Sequence, residues 1–378
     1  MPAAADGCDA GIGGCLAGLR VLDLSQWLPG PFAAQMLADL GADVVKVEPP
    51  AGDPARALGP DGESGSSLFY RQVNAGKRVL RLDLKQPDDR ARFLRLVDRA
   101  DVLLESFRPG TLARLGLPTE VLRQANPRLV HTALSGWGQS GPYALRAGHD
   151  INYLAIGGGL SRSGVPDRPH FAYPPVADYA SALVATLVTL AGLLRRASSG
   201  AGSFLDVSLM ETVLAWQGSA QTLARRGLLE RRGEGLLSGG AACYNLYRTS
   251  ESAFISLGAI EAKFWGNFCT AMHRPDWIAR QWEPFPQQAL TAEVAAAFAA
   301  HDRAHWQRLL EPVDCCFEAV LEPDELAGHP QVAARGLLVE SGGLMQALFP
   351  ALLDGQAPRP RPEVSEIDTA RALAAWDA

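Results

Sequence analysis

Three side chains in this chain of 378 residues combine reactive chemistry with a position at the start of an expected helix: His149, Asp178 and Glu261. His149 lies in Gly148-His149-Asp150-Ile151-Asn152-Tyr153, between a small residue and an acid, ahead of an apolar helical stretch. An imidazole there can act as a general base near neutral pH. Equally, Asp150 can cap the helix while His149 packs its first turn. Asp178 follows the rigid Pro174-Pro175 pair and opens the uncharged run Tyr179–Leu194. It either caps that helix, favoured by the helix dipole, or serves as base or nucleophile beside buried apolar surface. Glu261, in Gly258-Ala259-Ile260-Glu261, marks a strand-to-helix exit, where a surface glutamate in a first helical turn is the ordinary outcome.

A second set is cationic. Lys46, Arg71, Lys77, Arg78 and Arg108 recur near the ends of expected strands. Loops at the carboxyl ends of parallel strands are where α/β folds bind ligands. Several cations there suit a polyphosphate such as coenzyme A, and solvated surface charge is the alternative for each one singly. Other chemistries lack their residues. There is no GxGxxG, no P-loop and no GxSxG, and Gly157-Gly158-Gly159 is followed by no lysine, so dinucleotide redox chemistry and NTP hydrolysis have no support beyond fold class. His301 and His305 have helical spacing, but HDRAH lacks the glutamate of a zinc-hydrolase motif. They read as surface histidines on a helix.

The elements that must position these groups alternate. Leu16–Ser25 reads as a strand, Phe32–Leu40 as a helix ended by Gly41, and 42–48 as a second strand ended by Pro49-Pro50. That is a βαβ unit with a right-handed crossover and parallel pairing. Strands at 78–84, 101–104 and 129–135, with helices over 88–99 and Leu112–Gln124, repeat the pattern. The helix Tyr179–Arg195 and the strand Phe204–Ser208 complete a doubly wound α/β domain, residues 1–215. After Trp216 the texture changes to a charged, glycine-rich stretch, a hairpin over Tyr244–Leu257 and helices rich in Trp, Phe and Ala. Residues 225–330 therefore read as a smaller α+β domain, and 331–378 as a C-terminal segment returning to the large one. Its Pro358–Pro362 stretch is too polar for a core and is expected to run over the surface.

Composition narrows the partners. With 41 acidic against 35 basic residues and a net charge of -6, the chain lacks the basic footprint of a nucleic-acid binder. Hydrophobic residues at 47% supply a real core and exclude global disorder. The sixteen-residue run Tyr179–Leu194 is shorter than the roughly 20 residues that span a bilayer and reads as a buried helix. The opening MPAAADGCDAGIGGC lacks a basic n-region and apolar core, so no signal peptide is expected, and its Ala/Gly content suggests a frayed lead-in. Six cysteines (8, 15, 243, 269, 315, 316) form no CxxC pair, and adjacent Cys315-Cys316 is a poor disulfide geometry. A reduced, cytoplasmic protein is the expectation.

Four blocks, in order, carry a resemblance: LRVLDLSQWLPGPFAAQMLADLGADVVKVEPPAGDPAR, NAGKRVLRLDLKQP, DVLLESFRPGTLARLGL and NPRLVHTALSGWGQSGPYALRAGHDINYLA. Together they resemble the class III (CaiB/BaiF) CoA-transferase family over about residues 16–350, and within it the α-methylacyl-CoA racemase branch. That branch carries GHDINY at a catalytic histidine, a LADF-type motif at a catalytic aspartate and GAIEPQF at an active-site glutamate. The matching residues here are His149, Asp178 in VADY and Glu261 in GAIEAKF. The resemblance implies an interlocked homodimer, each chain an open ring with a Rossmann-like large domain and a small domain. It implies coenzyme A bound on the large domain as part of the substrate, with no metal and no prosthetic group. The CoA-contacting set is then Lys46, Arg71, Lys77, Arg78, Arg108, Gly148, Asp150 and Tyr153. The implied reaction is epimerisation of 2-methyl-branched acyl-CoA thioesters through an enolate, with Asp150 orienting His149 and backbone N–H groups at a helix N-terminus stabilising the enolate oxygen. The alternative is CoA transfer between an acyl-CoA and a carboxylic acid through a covalent Asp178 intermediate. A CoA-binding scaffold without turnover is a third possibility, against which the intact His149, Asp178 and Glu261 argue.

Overall fold

The structure, a computed structural model, describes residues 11–60 and 66–377. Cys8 and most of the expected lead-in lie outside the described residues. Short runs of Val and Leu form the strands β1 (Arg20–Asp23), β2 (Asp43–Glu48), β3 (Arg78–Arg81), β4 (Val102–Glu105), β5 (Val130–Ser135) and β6 (Ser203–Ser208), with β7 (Ser365–Glu366) near the C-terminus. They make one sheet in the order β7-β3-β2-β1-β4-β5-β6, every pair parallel. Every residue of β4 and β5 is buried, as a sheet covered on both faces requires. The order reverses between β1 and β4, so a crevice is expected outside the carboxyl ends of those two strands.

Helices α1 (Pro29–Asp39), α2 (Pro87–Arg99), α3 (Asp150–Ile156), α4 (Val176–Ser199) and α5 (Leu209–Ala215) serve this sheet. On α4, Gly192 and Thr189 press on β5, the Thr189 hydroxyl 2.7 Å from that of Thr132. The helix runs 24 residues, beyond its uncharged stretch, and is long and apolar enough by composition to cross a membrane. Only one face is buried, however; Leu183, Leu187 and Leu194 are exposed. The helix expected over Leu112–Gln124 is interrupted. Gly116 adopts φ +78 and Pro118 opens the second piece, leaving helices Thr111–Arg114 and Thr119–Ala125.

Contacts divide the described residues into two compact units. One holds the chain through Gly157, then Pro174–Ala215, then Ala327 onward; the other holds Gly158–Tyr173 and Trp216–Leu326. Residues 158–173, assigned with the first domain by continuity, thus cluster with the second unit. Their small antiparallel pair is held there by Arg162, which donates to the Glu230 carbonyl (2.6 Å), and by Arg232, which donates to that of Val165 (2.8 Å). The second unit has a three-stranded antiparallel sheet packed on an aromatic core of Trp265, Phe268, Trp277, Phe298 and Trp306. In the first unit, the Pro-rich segment is less superficial than expected. Arg361 is buried there and pairs with Asp39 at 2.6 Å.

Two lysines fix the loop after β1. Lys46 and Lys77 are fully buried. Lys77 donates to Asp23 (2.9 Å), the Pro31 carbonyl (2.7 Å) and Asn74 (2.9 Å), while Lys46 meets Asp53 (3.0 Å) and the Ser25 carbonyl (2.7 Å). Burial opposes ionisation of Asp23, but Lys77 and Lys46 outweigh it and hold its carboxyl below the usual range. Lys77→Met is expected to cost about 3–5 kcal/mol, because it strands a buried charge; urea denaturation reads this directly. A variant of unchanged stability would contradict the assignment.

Glu105 and His131 lie side by side on neighbouring strands, 3.9 Å apart, both buried. Burial pushes the Glu105 carboxyl up to about 7, partly offset by the Phe107 N–H, and pushes His131 down to about 4. At neutral pH the imidazole is therefore uncharged. A raised folded-state pKa means stability is lost as pH climbs from the ordinary carboxylate range through about 7. Glu105→Gln is expected to gain up to roughly 3 kcal/mol at pH 8 and little near pH 4. Equal effects in denaturation at both pH values would contradict this.

Candidate active site

The crevice lies where the sheet order predicts it. A cleft of about 490 Å³ is lined by Gln26 and Trp27 after β1, Ser106–Arg108 after β4, the end of β5, Arg146–His149, Tyr153 and Asp178. Loop geometry is set from below: the Gln26 N–H donates to Ser106 Oγ (2.9 Å), joining the β1 and β4 exits. Trp27 is left-handed, with φ +67, and its N–H reaches Asp53 at 3.3 Å. For a bulky residue this conformation costs on the order of 1–3 kcal/mol and persists only where the surroundings impose it. The buried lysine contacts on Ser25, Pro31 and Asp53 are that imposition. The Trp27 ring stands edge-on to His149, centroids 6.4 Å apart.

His149 is the residue before α3 and is exposed to the cleft. Its N–H is accepted by Asn152 Oδ1 (3.0 Å), which fixes the helix start. Tyr153 buckles the preceding turn by donating to the Gly148 carbonyl (2.6 Å) and packing edge-on against Trp137. A Cβ at Gly136 would lie 2.4 Å from the Tyr153 ring and one at Gly148 2.7 Å, so both positions require glycine. Gly148 and Tyr153 thus line the cleft, but the tyrosine hydroxyl is already spent on the chain that presents His149.

Asp178 sits in the first turn of α4 without capping it. The N-cap is Pro175, which offers no side-chain acceptor. Asp150 supplies one from α3: its Oδ1 accepts the N–H groups of Ala177 (2.7 Å) and Asp178 (3.1 Å). Asp150 Oδ1 is therefore engaged at the start of α4 rather than on the His149 ring. Burial, then the neighbouring Asp150, pushes the Asp178 carboxyl up to about 7. Burial also raises Asp150, against its two N–H donors. Burial, Asp178 and the opposing Arg108 together leave Tyr153 at about 12.

The cationic set divides. Arg108 lines the cleft. Lys46 and Lys77 are buried in ion pairs and present no charge to a ligand. Arg78 opens β3 and pairs with Asp43, at the amino ends of the strands, away from the ligand edge. Arg71 donates to Glu363 (2.8 Å) and the Gly342 carbonyl (2.6 Å), in a separate hollow. Sequence reasoning missed Trp27, Arg146 and Ser135 in the cleft wall. It also missed Lys85, which edges an apolar slot of about 220 Å³ lined by Leu24, Val47, Leu82 and Leu84 and sharing Gln26 and Phe107 with the cleft. Trp27 and Lys85 lie just beyond strand carboxyl ends and Ser135 closes β5, which was their signal; Arg146, in the longer loop after β5, had none.

Glu261 belongs to the second unit, where it is the exposed N-cap residue of the helix Ala262–Ala271. Its charge bears on the nearby Cys316 thiol, which burial first and then Glu261 raise. His301 and His305 stack at 4.0 Å at the start of another helix of that unit, and no metal-holding group of three His, Cys, Asp or Glu occurs among the described residues.

Known proteins agree with this architecture. The family profile of CoA-transferase family III matches residues 16–364. The chain is 36% identical to the alpha-methylacyl-CoA racemase of Homo sapiens over 330 residues, covering 86% of this chain and 83% of that one. It is 31% identical to the acetyl-CoA:oxalate CoA-transferase of Acetobacter aceti over 369 residues, 93% and 92% of the two chains. Among solved structures, a CAIB/BAIF family protein from Brucella suis superposes with a TM-score of 0.83 at 27% identity, covering 96% of this chain and 99% of that one. A seven-stranded parallel sheet in this order, a cleft at its reversal point and a match across nearly the whole chain identify it as a member of CoA-transferase family III.

Proposed function

We propose that the chain epimerises 2-methyl-branched acyl-CoA thioesters by moving the α-proton off one face of C2 and back onto the other. The observation that carries this reading is that an imidazole, His149, and a carboxyl poised near neutrality, Asp178, line one cleft. A racemase needs two groups that each give and take a proton. A general acid–base pKa near the working pH serves both directions.

In this mechanism, one of the pair takes the C2 proton. The C–H electrons move into the thioester carbonyl, giving an enolate. The other then protonates C2 from the opposite face, and the enolate collapses to the inverted thioester. Donors for the enolate oxygen come from α3 rather than α4. The α4 amides of Ala177 and Asp178 are taken by Asp150, whereas the opening amides of α3, at Asp150 and Ile151, have no intrahelical acceptor by position. Such a donor is worth on the order of 10²–10³ in rate. Arg108 and Arg146 in the cleft and Lys85 at the adjoining slot are the cations we assign to the CoA arm.

The resemblance adds a homodimer with Glu261 acting on the same reaction. The exposed leucines of α4, Leu183, Leu187 and Leu194, support an apolar face that a second copy covers. A transferase reading is favoured by one observation, the near-complete match to a CoA-transferase. There Asp178 attacks the acyl-CoA carbonyl, expelling CoA thiolate; the thiolate attacks the aspartyl carbonyl of the anhydride, releasing the first carboxylate and leaving an aspartyl-CoA thioester. A second carboxylate displaces the thiolate to a new anhydride, whose acyl carbonyl the thiolate attacks, giving the new acyl-CoA and freeing Asp178.

In D₂O without an acceptor acid, the enzyme is expected to exchange the α-hydrogen of a 2-methylacyl-CoA. His149→Ala should lower epimerisation by about 10²–10⁴, and Asp178→Asn by a similar factor. Failure of deuterium to enter, with CoA passing to an added carboxylate, would replace this reading by the transferase.

A further inference from the structure

We propose that Asp150 is a positioning residue for Asp178: its carboxylate acts as a remote cap that clamps the opening turn of α4 and sets a second negative charge beside the Asp178 carboxyl. The inference rests on the proton-transfer reading of Asp178. An N-cap side chain ordinarily accepts from the second or third helical N–H. Here the N-cap is Pro175, and a carboxylate 27 residues upstream accepts both of those N–H groups, at 2.7 and 3.1 Å.

Two consequences follow. Since Asp150 satisfies the helix end, Asp178 is released from the capping role that its position in the first turn invites, and its carboxyl is left to the cleft. Because the cap is an anion, the α4 terminus is neutralised by Asp150 instead of by Asp178, and like charge disfavours a second carboxylate. The helix end that would otherwise make Asp178 a stronger acid no longer does so. Around Asp178, the other charged or titratable groups are Tyr153 of α3, Arg108 after β4, and Arg146 and His149 before α3. The first turn of α1, which also packs on α4, has no acid, and the acid of α5, Glu211, is exposed. The clamp also ties His149 to Asp178. The residue after the histidine holds the turn that carries the aspartate, so the two reacting groups share one rigid junction.

The test separates clamp from charge. In enzyme labelled with ¹³Cγ-aspartate, the Asp178 signal is assigned by its loss in Asp178→Asn and followed against pH. Asp150→Asn keeps an acceptor oxygen but no charge. It is expected to fold normally and lower the Asp178 titration by roughly one pH unit, moving the pH profile of deuterium exchange with it. Asp150→Ala removes the acceptor and is expected to lower kcat by about a hundredfold with little change in KM. An unmoved Asp178 titration in Asp150→Asn would overturn the proposal, as would an Asp150→Ala enzyme of unchanged kcat. If Asp150→Ala does not fold, the titration in Asp150→Asn decides alone. Absence of exchange in the unmodified enzyme would instead sink the racemase reading, leaving the titration to judge Asp150 independently.

Discussion

One carboxylate belongs to two helices. Asp150 opens α3 and accepts the first free amides of α4, so the residue before it, His149, and a residue it bonds, Asp178, are held at one junction on the cleft. Rotating either helix would break both hydrogen bonds and leave two buried-end amides unpaired, at a cost of about 1–3 kcal/mol each. That constraint, rather than any flexible approach of side chains, is what brings an imidazole and a carboxyl to the same space. Burial is the larger reason that the Asp178 carboxyl is raised, and the Asp150 charge at this junction adds to it.

The floor of the cleft rests on a different device. Lys46 and Lys77 are buried with Asp53 and Asp23, and both lysines also hold backbone carbonyls of the turn after β1. Buried ion pairs are weak evidence of net stability. Here their value is geometric, because they force the left-handed Trp27 that faces His149. The sheet order then places this turn beside the β4 exit, at the reversal point where α/β folds bind ligands.

How much of this was legible follows from range. Local signals located every strand from β1 to β6, and pointed to His149 and Asp178, which line the cleft, since period, Gly and Pro are written in neighbouring residues. They also suggested a cap near Asp178, but not that Asp150 supplies it, because that bond joins residues 27 positions apart. The same limit misled the reading of Lys46 and Lys77. A lysine at a strand end looks like a ligand contact until its acid appears, and Asp23 is 54 residues from Lys77. Arg78 failed for a simpler reason: it lies at the amino end of its strand, and strand direction alone removes it from the ligand edge. The two-residue β7 and the short pair within 158–173 are below the length at which alternation carries information.

If an imidazole and a carboxyl flank one carbon in the proposed reaction, a crystal structure with a 2-methylacyl-CoA bound will show it. C2 is then expected between His149 and Asp178, each about 3–3.5 Å away on opposite faces, with the thioester oxygen at the start of α3. A bound acyl group with both side chains on one face of C2, or with Asp178 in line with the carbonyl carbon and His149 turned away, would contradict it.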